Sequence, residues 1–98
     1  MTYKLKTPYT EYDVKLQWGK YGNGRKALEL VDAENGWPVM TATVNVPEAQ
    51  LSEGETIIKN YSENEGVLQF LQKNGIVGPV KREIGVGFVS CPVVDLLV

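Results

Sequence analysis

Lys59, Asn60, Tyr61, Glu63, Asn64 and Glu65 form the densest group of side chains in this sequence that could do chemistry. In an active site, Glu63 or Glu65 would be the base, Tyr61 or Lys59 the acid, and Asn60 or Asn64 would orient the substrate. A simpler account covers most of the same residues. Ser62 and Glu65 have the spacing of a capping box, in which hydroxyl and carboxylate each satisfy a free amide at a helix start. Glu63 and Glu65 then complement the helix dipole, and the asparagines hold the turn. No second polar group is spaced to complete a catalytic arrangement, so capping carries more weight than catalysis.

The element that must position these residues is a helix. Val67, Leu68, Phe70 and Leu71 recur at spacings of three and four and make one apolar stripe. Gln69, Gln72 and Lys73 fall on the opposite side, and Asn74-Gly75 supplies the left-handed stop. This pattern predicts a helix over about 63–74, with Ile76 folding back on its last turn. Three turns are not stable alone in water, so the helix must dock on a sheet.

The sheet is written in the rest of the chain. Tyr3 to Tyr9 is a short segment stopped by Pro8, an edge strand at most. Tyr12, Val14, Leu16 and Trp18 alternate with Asp13, Lys15 and Gln17, the period of a strand with one buried face. Gly22-Asn23-Gly24 reads as a tight hairpin turn, and Leu28 and Leu30 resume the apolar face. Glu34-Asn35-Gly36 is a second turn, and Met40, Ala42, Val44 and Val46 share one face of the strand after it. Thr56–Lys59 reads as a short strand or as a lead-in to the helix, Val80–Val89 as a strand interrupted by Gly85 and Gly87, and Val93–Val98 as a last strand set off by Pro92. The expected fold is α+β: a single domain over 1–98, with an antiparallel sheet of about five strands, an N-terminal meander, and the helix packed on one face. Docking would bury Val67, Phe70 and Leu71 against Leu16, Leu28, Leu30 and Val44.

Composition narrows the function. The 98 residues are 43% hydrophobic and 22% charged with net charge −2, ordinary for a globular domain and unlike a general nucleic-acid binder. The absence of histidine removes the commonest general base and zinc ligand. Cys91 stands alone, so no internal disulfide forms and a reducing compartment is expected. No cofactor or metal is expected. No run is long and apolar enough for a membrane span, and Met1-Thr2-Tyr3-Lys4 opens no secretory signal, so a cytoplasmic location is expected. Gly22-Asn23-Gly24 lacks the Lys-Ser/Thr pair and following helix of a phosphate loop. Trp18, Tyr21, Arg25 and Trp37 offer an aromatic-basic platform for single-stranded nucleic acid, although Trp18 belongs with the buried alternation.

Three stretches resemble a family of small proteins of unknown function from bacteria, their phages and other mobile elements. They are Tyr21-Gly-Asn-Gly-Arg-Lys-Ala-Leu-Glu-Leu30, Ala42-Thr-Val-Asn-Val46 and Ile58-Lys-Asn-Tyr-Ser-Glu-Asn-Glu-Gly66. The likeness runs roughly from Tyr21 to Ile76. It implies a mobile-element accessory protein, including one that blocks a host defence system, and no mechanism.

The sequence reading therefore expects a non-enzymatic module that binds another protein. Its expected surface is the acidic stretch 47–72, where Glu48, Glu53, Glu55, Glu63 and Glu65 face Lys59 alone. The candidate interaction residues are Glu48, Glu53, Glu55, Lys59, Asn60, Tyr61, Glu63 and Asn64. An enzyme or ligand-binding protein using Lys59–Glu65 is the alternative. It requires a concave pocket at the helix start, whereas a module requires a flat or convex acidic surface there.

Overall fold

The computed structural model describes residues 2–7 and 9–98. Pro8, the expected stop of the first segment, and the side chain of Glu63 lie outside the described residues. The fold is α+β, and it opens with the predicted meander. Strands β1 (Tyr3–Lys6), β2 (Glu11–Lys20), β3 (Lys26–Asp32) and β4 (Pro38–Thr41) pair antiparallel in that order. Leu5 lies opposite Tyr12, Leu16 opposite Leu30, and Trp18 opposite Leu28, so one face of the sheet is apolar as the alternation predicts. Both predicted turns end on a left-handed glycine. At 21–25 the Gly24 amide donates to the Tyr21 carbonyl and the Tyr21 amide to that of Arg25, with Gly24 at φ +86°. Only the glycine of each Asn-Gly pair takes positive φ, so these turns are longer than the two-residue type.

The expected sheet of about five strands is two sheets, of four strands and three. The second contains β5 (Glu55–Ile57), β6 (Arg82–Val86) and β7 (Val89–Asp95), in the order β5-β7-β6. The single strand expected over 39–46 is the connection between the sheets. Its first part pairs with β3 as β4, and Thr43 then bridges Ile58 next to β5. Pro92 does not separate two strands as expected but sits inside β7, opposite Glu83. A two-residue turn makes Val86 and Val89 a hydrogen-bonded pair, and strict alternation then leaves Glu83 and Pro92 at a position where no bond to β6 is lost. The Pro92 carbonyl still accepts from the Ile58 amide at 3.0 Å.

Helix α1 (Val67–Lys73) is shorter than predicted at its start and ends where predicted. The Ile76 amide donates to the Leu71 carbonyl and the Gly75 amide to that of Gln72, with Gly75 at φ +69°. These two bonds satisfy the last carbonyls, and Ile76 is fully buried behind them. The capping box is absent. Ser62–Asn64 form a separate 3-10 turn, and Gly66, at φ +91°, divides it from the helix. Glu65 approaches Ser62 only through its backbone amide, so neither side chain caps.

The small sheet lies between two apolar clusters, because alternate residues of its strands face opposite ways. Ile58 and Val94 join Leu5, Val14, Leu28, Leu30 and the helix residues Val67, Phe70 and Leu71 in the main core. Ile57, Cys91 and Val93 face a smaller cluster covered by Val44, Val46, Ala49, Leu51 and Tyr61. Docking of the helix on Leu28 and Leu30 is as expected, with Leu16 at its margin. Val44 belongs to the other cluster, because the chain changes sheets between Ala42 and Val44. Each large side chain fully buried contributes roughly 1.5–3 kcal/mol, so the three helix residues anchor the segment to the sheets.

Candidate interaction site

Among the described residues, the polar side chains at 59–65 do not converge on one space. The Asn64 side chain is completely buried and its amide donates to the Thr41 carbonyl at 2.6 Å, while its Oδ1 has no hydrogen-bond partner. Tyr61 packs against the smaller core, with the Lys59 ammonium 5.5 Å from its ring centre. The backbone of Asn60 meets the Cys91 thiol, which burial pushes up from its ordinary pKa. Glu65 is exposed. Two surface grooves of about 530 and 450 Å³ lie elsewhere, and neither is lined by a residue from 59–65.

The acidic stretch is not one exposed face either. Glu48 and Glu53 are exposed on turns, as expected. Glu55 is not: only 1% of its side chain reaches solvent, and its carboxylate is fully engaged. Arg82 donates to both carboxylate oxygens at 3.0 and 3.1 Å, the Lys81 ammonium lies 2.7 Å away, and the Ser52 amide donates at 2.8 Å. These donors, Arg82 foremost, hold the Glu55 pKa down at about 2. In a regular strand, Lys81 and Arg82 would point to opposite faces. Here the Lys81 amide donates to the carbonyl of Val93, the residue paired with Arg82, so two residues face one. That is the count of a β-bulge, which re-aims a side chain and lets both cations reach one carboxylate. Sequence reading missed this cluster, because its partners lie 27 positions apart.

Of the proposed aromatic-basic platform, two members are engaged inside the fold. The Tyr21 hydroxyl is 2.8 Å from that of Thr43, which also accepts from the Leu28 amide. Arg25 donates to the carbonyls of Val46 and Ala49, and Arg82 to that of Gln50, so two arginines pin the loop before β5. Asn23 donates to the Asn45 side chain. The contacts of Tyr21, Asn23, Arg25 and Leu28 bring the Tyr21–Leu30 and Ala42–Val46 stretches together, and the Thr43–Ile58 bridge with the Lys59 amide donating to the Ala42 carbonyl adds the start of Ile58–Gly66. Trp37 is exposed beyond the opposite end of β3. Trp18 is 39% exposed rather than buried, with Lys26 5.7 Å from its ring centre.

The residue most plainly displayed is one that periodicity did not single out. β6 and β7 are joined by the two-residue turn Gly87-Phe88, with Gly87 at φ +62°. Phe88 is fully exposed, at 109% of its reference area. With positive φ at Gly87 and not at Phe88, the turn is of the II′ kind, which asks for glycine at its first position and leaves the second free, so the turn does not demand phenylalanine there. The only signal available in sequence was an aromatic residue beside a glycine between two apolar runs.

The chain matches no family model, no curated protein and no solved structure. Among the described residues, no helix is long and apolar enough to cross a membrane.

Proposed function

We propose that the protein is a small interaction module that binds another protein by contact, without chemistry of its own, and that Phe88 is its anchor. The observation that carries this reading is the full exposure of a large aromatic side chain on a short, well-supported turn. β7 behind the turn is buried from Cys91 to Val94 and lies between both neighbouring strands. Phe88 is therefore held out in advance, and its docking would lose little conformational freedom. Buried aromatic residues at the centre of an interface commonly carry much of the binding energy.

The resemblance in sequence supports a phage or other mobile element as the setting, and a cytoplasmic host system as the target that such contact would block. The enzyme reading has less behind it, because Asn64 is buried against Thr41, Tyr61 packs on the smaller core, and neither of the two larger grooves is lined by a residue from 59–65. Affinity capture from the native host, with parent and Phe88→Ser chains compared by mass spectrometry, tests the proposal. A partner retained by the parent and lost from the variant, at unchanged melting temperature, is the expected result. Equal retention of every protein by both chains would overturn it.

A further inference from the structure

The β2–β3 hairpin is longer than the core beneath it. Along the core-facing side of β2, burial falls from Val14, which is fully covered, through Leu16 to the exposed Trp18 and Lys20. Opposite them, Leu28 is buried and Lys26 exposed. The strand pattern thus continues an inward face past the point where anything covers it. This overhang forms one wall of the 530 Å³ groove, whose other wall is the Leu51–Glu55 segment and whose apolar lining includes Leu96 and Val98. A second groove of about 310 Å³ shares Lys20, Lys26 and Val98 with it and extends to the face of Trp18.

Among the described residues, no carboxylate balances the charges on this overhang; Lys26 makes only a cation–π contact with the Trp18 ring. Lys20 and Lys26 are directly opposite in the register, an arrangement of like charges that destabilises a sheet. Among the described residues, neither ammonium has a carboxylate within ion-pair distance. Across the groove Glu55 is neutralised by Lys81 and Arg82, while Glu53 is exposed. A nucleic-acid strand brings a phosphate at every residue and would meet Glu53 as well as the lysines. An extended peptide places alternate side chains on opposite sides and can present carboxylates to one wall only.

We propose that this overhang is a second docking site, separate from Phe88, for an extended segment of a partner protein with alternating acidic and apolar side chains. The acidic side chains meet Lys20 and Lys26, and the apolar ones lie across the groove against Leu51 and Leu96; Trp18, whose ring Lys26 covers, reports the encounter.

The test uses the 98-residue chain carrying Trp37→Phe, which leaves Trp18 as the sole indole. Its fluorescence is followed during titration with a synthetic peptide of alternating valine and glutamate, a valine–lysine control, and oligothymidylate. The expected result is a saturable change with the glutamate peptide alone, weakened by salt. Lys20→Glu with Lys26→Glu should weaken it about tenfold or more, and Phe88→Ala should leave it unchanged. If the double reversal impairs folding, Lys20→Gln with Lys26→Gln gives the same test. No saturable change, an affinity indifferent to both lysines, or tighter binding of oligothymidylate would each overturn the proposal.

Discussion

Glu55 and Arg82 form a two-point pair at 3.0 and 3.1 Å between β5 and β6, the two outer strands of the small sheet. Lys81 joins the same carboxylate and also lies 3.3 Å from Asp95 of β7. The cluster therefore ties together all three strands and, through the Arg82 bond to the Gln50 carbonyl, the loop before them.

Stability should carry the signature of that pair in acid. The Glu55 carboxyl is held at about 2 in the folded chain against an ordinary 4.5. A depressed folded value means that the stabilisation is complete above pH 4.5 and is lost as pH falls from there toward 2. Thermal melts across that range should therefore fall less steeply in Glu55→Gln than in the parent, from a lower starting point at pH 7. Parallel curves would show that the pair contributes nothing.

The neighbouring acids should behave differently. Glu48→Gln with Glu53→Gln removes two exposed charges that have no ion-pair partner among the described residues, so the melting temperature should stay within the small range usual for surface changes. A loss as large as that of Glu55→Gln would mean that the acidic stretch holds the fold as one unit.

The start of the helix gives a third test. Ser62 sits at φ +56° without capping, and Gly66 sits at φ +91°. Left-handed backbone costs a residue with a Cβ about 1–2 kcal/mol, so Ser62→Gly should stabilise and Gly66→Ala destabilise by amounts of that order in urea melts. A capping box would produce the opposite result at Ser62.

Much of this architecture was legible because it is local. The meander follows from alternation, and the helix stop at Asn74-Gly75 and the turn glycines Gly24 and Gly36 follow from residue chemistry. What was not legible depends on the surroundings. Gly66 looks like an ordinary interior residue until Asn64 is drawn inward to Thr41, which leaves residues 62–65 as a separate turn. Trp18 has the period of a buried residue, but the core ends before reaching it. Glu55 looks like its exposed neighbours until a bulge at Lys81-Arg82, far along the chain, turns two cations toward it. The candidate residues form a contiguous polar run, whereas the proposed anchor, Phe88, is a single exposed apolar residue at a tip.

Cys91 offers a check on the smaller core. The thiol is fully buried and burial raises its pKa, so little thiolate is present near neutrality. Reaction with a disulfide reagent should be slow in the folded chain and rapid in denaturant. A fast native reaction would mean that the cluster around Ile57 and Val93 opens readily.

The central claim is that Phe88 anchors a partner protein. Once that partner has been captured and purified, calorimetric titration of parent and Phe88→Ala chains measures the claim directly. Truncation of a central anchor commonly costs 2 kcal/mol or more, so the dissociation constant should rise by roughly 30-fold or more, at unchanged melting temperature. An unchanged dissociation constant would contradict the account and place the interface away from the β6–β7 turn.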